Sequence, residues 1–435
     1  METVSKTKLM RAEKLSGKLR LPGDKSISHR AGMIAALATG ETTIDNFSTA
    51  ADCTSTLSCL EQLGVEIERS GTTVRILGGK PLIQPQLVLD CGNSGSTMRI
   101  LAGILASRGF TSTMSGDSSL CSRPMRRIME PLEQMGARLE SHSGKPPLTI
   151  HGTSATKPID YTLPIASAQV KSAILFAGLS ARGRTKVRES ALSRDHTERM
   201  FNGFGVNVTT DEHLTVTLDG PAQLVGGPMT IPGDVSSAAY FVAAAMLLPE
   251  SELSIEGVGL NPTRAEFLSV LRAWGGDIST EGERSERNEP IGTIRVNGGL
   301  KHCSPGAEKV IQKSTIPSVI DELPLLAVAG TQIEGGIQIK DASELRHKES
   351  DRLSATATNL RLMGANVEEH PDGLTVQGPT RLRGASLDAF GDHRIAMAFT
   401  VAALIADGST EIYGADCVNI SFPEFFTLLD SVVVR

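Results

Sequence analysis

Internal repetition constrains this chain more than any other feature. One kind of segment recurs six times at spacings of about 65 to 90 residues, and such a period signals an architecture assembled from equivalent supersecondary units. Its first half is a small polar turn, an apolar run rich in Ala, Leu and Ile, then Gly and a β-prone stretch. It starts at Pro22-Gly23-Asp24-Lys25-Ser26 before Ala31 to Ala38, at Gly92-Asn93-Ser94-Gly95 before Met98 to Ala106, and at Ser167-Ala168-Gln169 before Ala173 to Leu179. It returns at Pro232-Gly233-Asp234 before Ala238 to Leu248, at Asp321-Glu322 before Leu323 to Ala329, and at Gly391-Asp392-His393 before Ala396 to Ala406. Ser, Asp and Asn at these starts predict capped helix amino ends, because their side chains accept from the orphan N–H groups there.

The second half places apolar residues three or four apart and then a Gly. Examples are Leu57, Leu60, Leu63 and Gly64; Met129, Leu132, Met135 and Gly136; Met200 to Gly205; Leu268, Leu271, Trp274 and Gly275; and Leu360, Met363 and Gly364. This predicts an amphipathic helix closed by Gly in the left-handed conformation, followed by two strands around a turn. The last copy, Phe425 to Val434, stops after its helix and one strand, so its missing strand is expected from Lys8 to Leu21. The pattern predicts an α/β protein of two domains with three units each. Pro and Gly mark the expected linkers near Leu21-Pro22 and Gly226-Gly227-Pro228, which gives one domain over 22–227 and another over 1–21 plus 228–435.

Composition excludes several functions. With 40% hydrophobic and 21% charged residues over 435 positions, the chain can build its cores without disulfides or metals. The six cysteines are scattered with no C-x-x-C pair, and the histidines form no zinc spacing with them, so no metal and no disulfide framework is expected. A net charge of −6, one Trp and three Tyr argue against a nucleic-acid surface. The apolar runs are too short to span a bilayer, and the amino end lacks the apolar core of a secretion signal, so no membrane contact and a cytoplasmic location are expected.

Against this acidic background, cations gather at the polar turns with Ser, Gly, Asn or Gln. They are Lys25 and Arg30 with Ser26; Arg99 with Asn93 and Gly95; Arg123; Lys171 with Ser167 and Gln169; Arg194; Lys348 and Arg352; and Arg394 with His393. Helix amino ends carry free N–H groups and partial positive charge, and Arg grips carboxylate or phosphate with paired bonds, so these turns read as anion sites. So many cationic turns suggest two anionic substrates.

The runs Leu21 to Arg30, Gly92 to Arg99, Arg123-Pro124-Met125, Ser167 to Ala173, Lys348 to Arg352 and Gly391 to Arg394 together resemble the 3-phosphoshikimate 1-carboxyvinyltransferase family, the EPSP synthases. The resemblance implies an α+β prism of two domains, each of three βαβαββ repeats with helices inside and sheets outside. It also implies transfer of the carboxyvinyl group of phosphoenolpyruvate to the 5-hydroxyl of shikimate 3-phosphate, without cofactor, by a monomer. One group must take the hydroxyl proton while another delivers a proton to the vinyl carbon. By resemblance Asp321 is that base, and Glu349 and Lys25 serve proton transfer and the departing phosphate. Burial would raise the pKa of Glu349 whereas Lys348 and Arg352 would lower it, so the two effects oppose each other.

The resemblance assigns shikimate 3-phosphate to Lys25, Ser26, Arg30, Ser167, Ala168, Gln169, Arg194, Asp321 and Lys348, mainly in the first domain. It assigns phosphoenolpyruvate to Lys25, Gly95, Arg123, Gln169, Arg352 and Arg394, with the catalytic carboxylates in the second domain. Gly95 is expected to let the backbone approach a bound anion, and in sensitive members the inhibitor glyphosate occupies the phosphoenolpyruvate site. Ile420 and Glu344 stand where some members have Lys and Asn, and these departures resemble the branch called class II. The alternatives are a UDP-N-acetylglucosamine enolpyruvyl transferase, which uses a loop Cys several residues before an Arg-Pro pair, and a catalytically inactive anion-binding module. Cys121 lies only two residues before Arg123, against the first alternative.

Overall fold

Side-chain chemistry separates the two helices of every repeat. The chain, in a computed structural model, is described for residues 5–301, 303 and 308–435, and forms two units. The first comprises Gly23–Pro232 with Ser285–Glu289. Its repeats run α1 (Lys25–Leu37) and α2 (Ala51–Gln62), α3 (Gly95–Ala106) and α4 (Arg126–Gln134), then α5 (Ala168–Gly178) and α6 (His196–Gly203). In α5 every residue from Val170 to Gly178 is buried, and α1 and α3 are buried nearly throughout. A helix apolar on all sides must lie inside. By contrast, α2 buries Asp52, Cys53, Thr56, Leu57, Cys59 and Leu60, a single face at helical spacing.

Each helix pair feeds a four-stranded sheet. In the first sheet Gly40–Asp45 and Glu66–Ser70 flank Thr73–Gly78 as antiparallel neighbours. Strand Thr73–Gly78 alternates buried Val74 and Ile76 with outward side chains, as a sheet with one solvated face does. The fourth strand, Met229–Thr230, pairs parallel with Ile44–Asp45. The sheets of the second and third repeats keep the same order, a short parallel strand beside the strand after the inner helix, then an antiparallel hairpin.

The second unit comprises the chain up to Pro22, Gly233–Arg284 and Pro290–Arg435. It repeats the plan with α7 (Val235–Leu247) and α8 (Glu266–Ala273), α9 (Leu323–Gly330) and α10 (Arg352–Leu362), then α11 (His393–Ile405) and α12 (Phe425–Val432). The inner helices α7, α9 and α11 are again buried almost throughout. Behind the outer helices, Gly64, Gly136, Gly205, Gly275 and Gly364 all take positive φ, the left-handed stop that the sequence predicted.

Three details differ from the sequence expectation, and the first is that Ser285–Glu289, expected in the second domain, groups with the first unit. The division falls at Pro232–Gly233, a few residues beyond Gly226-Gly227-Pro228, because Met229–Thr230 is hydrogen-bonded into the first unit's sheet. The amino-terminal segment gives two strands where one was expected. Lys6–Met10 pairs antiparallel with Ser409–Tyr413 and completes the last repeat, while Lys14–Arg20 pairs parallel with Glu252–Glu256 of the fourth. The break falls where Ala12 N–H donates to the Leu404 carbonyl and Glu13 N–H to Val434. Residues 1–4 of the expected second domain lie outside the described residues. Among the described residues, no helix is long and apolar enough to cross a membrane, and no three His, Cys, Asp or Glu side chains are placed to hold a metal ion.

Candidate active site

In the first unit the candidate residues gather at the amino ends of α1, α3 and α5. Asp24, Ser94 and Ser167 cap these helices, accepting from the N–H groups of Ile27, Thr97 and Val170. The caps fix the following residues, Lys25 and Ser26, Gly95, and Ala168 and Gln169, in the first helical turns. Lys25 is half-buried and its Nζ donates to Asp52 Oδ2 at 3.0 Å.

Three arginines of this unit donate to uncharged oxygens. Arg30 is buried and donates to Thr197 Oγ1 at 2.8 Å, Ser172 Oγ at 3.0 Å and the Ser26 carbonyl at 2.8 Å. Arg123 donates to Asn93 Oδ1 at 2.9 Å and Ser119 Oγ at 3.2 Å. Arg99 donates to Gln169 Oε1 at 2.7 Å, and Gln169 Nε2 donates onward to Ser96. Arg194 lies half-buried on the loop before α6. Burial lowers Arg30 to about 10, so it remains a cation at neutral pH. Burial also lowers neighbouring His29 to about 3, so that ring is neutral. A Cβ on Gly95 would lie 3.4 Å from the Nη1 atoms of both Arg123 and Arg99. The hydrogen of Gly95 thus faces the tips of two guanidiniums.

In the second unit the guanidiniums meet carboxylates. Arg352, the first residue of α10, is 2% exposed. It donates to Glu349 Oε2 at 2.5 Å, Asp392 Oδ2 at 2.8 Å and Asp321 Oδ1 at 3.3 Å. Arg394 lies 3.4 Å from Asp321 Oδ2 and 3.7 Å from Glu322 Oε1. Burial works against the charge on both guanidiniums, yet Asp392, Glu349 and Asp321 hold Arg352 above its usual value, and Asp321 does the same for Arg394. Asp392 is also buried, and Arg352 overcomes that burial to hold it below the usual carboxylate range. Asp392 caps α11 as well, accepting from Arg394 N–H.

Asp321 is not a helix cap. Glu322 occupies the cap position of α9 without a side-chain bond to the backbone; instead it accepts from Ser236 Oγ. Burial raises the pKa of Glu322 despite nearby Arg394. Lys348 stands apart from this carboxylate cluster and donates to Glu344 Oε1 at 3.1 Å. Of the two cations flanking Glu349 in sequence, Arg352 donates to it directly.

Several contributors escape a reading of the sequence. Asp52, Asp392 and Glu322 lie in regions that read as cap or helix, and nothing local says that they meet Lys25, Arg352 or Arg394. Lys171 corrects the list of cations at the turns: it is 1% exposed and salt-bridged to Glu189 and Glu198 at 2.6 and 2.7 Å. It lies one helical turn past the start of α5, on the side that faces the core. Arg99, a cation at a polar turn to which the resemblance gives no role, donates to Gln169 and is tied to the candidate site by that bond.

Fold and residues together define an enolpyruvyl (carboxyvinyl) transferase. The enolpyruvyl transferase NikO from Streptomyces tendae has the same fold, with a TM-score of 0.80 over 99% of this chain and 98% of that one at 18% identity. The chain belongs to the EPSP synthase (3-phosphoshikimate 1-carboxyvinyltransferase) family, which it matches over residues 9–429. It is 49% identical over 427 residues to the 3-phosphoshikimate 1-carboxyvinyltransferase of Acaryochloris marina, covering 96% of this chain and 94% of the relative. The enzyme of that name from Synechocystis is 50% identical over 426 residues, with coverage of 96% and 94%. The structure of EPSP synthase from Acinetobacter baumannii superposes with a TM-score of 0.88 at 38% identity, over 100% of this chain and 99% of that one.

Proposed function

We propose that this chain transfers the carboxyvinyl group of phosphoenolpyruvate to the 5-hydroxyl of shikimate 3-phosphate, giving 5-enolpyruvylshikimate 3-phosphate and inorganic phosphate. The observation that carries the reading is Arg352, held at once by Asp321 and Glu349. This joins a grip for an anionic substrate to two carboxylates able to move protons.

Asp321 takes the proton of the 5-hydroxyl as its oxygen attacks C2 of phosphoenolpyruvate, while a proton is delivered to C3 and makes it a methyl group. The resulting tetrahedral intermediate loses phosphate as a proton leaves that methyl, restoring the double bond. Glu349 and Lys25 serve the proton movements at carbon and the departing phosphate. Arg123, Gln169, Arg352 and Arg394, with Gly95 and Lys25, hold phosphoenolpyruvate. Shikimate 3-phosphate is held by Lys25, Ser26, Arg30, Ser167, Ala168, Gln169, Arg194, Asp321 and Lys348. The chain acts as a monomer in the cytoplasm, on free small molecules, with no nucleic-acid or membrane partner.

Phosphate release from phosphoenolpyruvate with shikimate 3-phosphate as acceptor tests the reading. Turnover with UDP-N-acetylglucosamine in its place, or with neither acceptor, would overturn it. Against the first of these stands the position of Cys121, only two residues before Arg123.

A further inference from the structure

The buried cation of the first unit has no place in the reaction just described. Lys171 leaves α5 and meets two carboxylates, Glu189 Oε2 at 2.6 Å and Glu198 Oε1 at 2.7 Å. All three side chains are almost wholly enclosed. A charged triad is an expensive way to fill a core, since apolar residues of the same volume would do so without desolvation. Its geometry offers another account.

Glu189 follows the strand Gly183–Arg188 and Glu198 lies in the first turn of α6, so Lys171 bridges the two ends of the loop that carries Arg194. Within that loop Ser193 donates to Glu189, and Asp195 accepts from Arg199 Nε at 2.8 Å. The residues on both sides of Arg194 are thus anchored. The neighbours of the triad hold the second cation. Ser172 follows Lys171 and Thr197 precedes Glu198; their hydroxyls are 2.6 Å apart, and both accept from Arg30.

We propose that Lys171 is a positioning residue for shikimate 3-phosphate, clasping Glu189 and Glu198 so that Arg30 and Arg194 stand in fixed relation to one another. This rests on the assignment of Arg30 and Arg194 to that substrate. Burial opposes the charge on Lys171, but Glu198 and Glu189 outweigh it and keep its pKa raised, while burial raises Glu198 despite Lys171; the two bonds to Lys171 persist with either form of that carboxyl. Binding of a rigid anion by two cations depends on their spacing, so loosening the loop weakens the substrate's hold in ground state and transition state alike.

Replacing Lys171 alone would strand two buried carboxylates. The informative variant is therefore Lys171→Met with Glu189→Gln and Glu198→Gln, which removes the clasp without stranding its carboxylates, and Glu198→Gln with Lys171 kept reports separately on the support that Glu198 gives Arg30. The triple variant's KM for shikimate 3-phosphate should rise about 10-fold, with kcat within about 3-fold of the unmodified chain and the KM for phosphoenolpyruvate within about 2-fold, the signature of lost uniform binding to one substrate. Ser193→Ala, which cuts only the loop arm, should raise the same KM about 3-fold. Unchanged KM values, whatever happens to melting temperature, would reduce the triad to core packing, and equal rises for both substrates would also overturn the inference. Failure of the unmodified chain to turn over the two substrates would remove the functional reading itself, and the inference with it.

Discussion

The guanidiniums of the two candidate clusters are bonded through different chemistry. In the first, Arg30, Arg99 and Arg123 donate to Thr, Ser, Gln and Asn oxygens, which orient the guanidiniums. In the second, Arg352 and Arg394 are met by Asp321, Glu349, Asp392 and Glu322, which compensate the charge. A phosphate is gripped best by guanidiniums held in orientation. Proton transfer needs carboxylates near the reacting atoms. On the proposed function, the first set suits the binding of an anion and the second brings carboxylates for proton transfer.

The largest effect expected from this contrast is on stability. Arg352→Met leaves Asp392 buried beside Asp321 and Glu349 without their shared cation, and should cost about 3 to 5 kcal/mol. Thr356→Val, which removes a buried hydroxyl from the same helix and no charge, should cost about 1 kcal/mol. Denaturant unfolding of both variants tests this, and equal losses would break the comparison.

Next comes chemistry. Asp321→Asn should lower kcat by about 100-fold or more with shikimate 3-phosphate still bound. Glu322 holds the cap position, so no helix cap is lost, but Arg352 and Arg394 each lose a charged partner and melting temperature should fall. A variant that keeps its rate would refute Asp321 as the base.

Acid should also tell the two units apart. In the folded state His29 is lowered to about 3 from an ordinary value near 6.5, so its contribution to stability is full above about pH 6.5 and is lost as pH falls towards 3. The folded pKa of Asp392 lies below 3.8, so its contribution is present above 3.8 and is lost only as pH falls through that lower value. Between pH 6.5 and 4 the first unit should therefore weaken first, with a slope of up to about 1.4 kcal/mol per pH unit that His29→Gln flattens. Unfolding followed by hydrogen exchange at residues of each unit measures it, and a slope unaltered in His29→Gln would remove His29 as its source.

The smallest effect concerns Gly95. A methyl there meets Arg123 and Arg99 at ordinary contact distance, so the protein accommodates it, and its main consequence falls on a bound anion. The unmodified chain should be at least moderately sensitive to glyphosate. Gly95→Ala should weaken the inhibitor about tenfold, and more than it weakens phosphoenolpyruvate, the shorter ligand. Inhibition curves at matched phosphoenolpyruvate decide this; superimposable curves would exclude Gly95, and a resistant parent would give the deciding role to the class II surroundings.

What the sequence by itself determined is everything written in short-range bonds and periodicity. Asp24, Ser94, Ser167, Asp234 and Asp392 announce helix starts because a cap bonds to an N–H two or three residues away. The all-apolar run Leu323–Gly330 announces an inner helix, and the single buried stripe of α2 an outer one. The cationic turns were legible for the same local reason. Only the tertiary structure decided which partner each charge meets. Lys171 reads as one more cation at a turn until α5 rotates it towards Glu189 and Glu198, and Asp392 reads as a cap until α10 brings Arg352 to it from 40 residues away in the chain. Likewise Met229–Thr230 belongs by sequence to the helix that follows it, and by hydrogen bonding to the strand Gly40–Asp45. Partners so distant along the chain are chosen by topology and side-chain direction, and neither leaves a mark on the neighbouring residues.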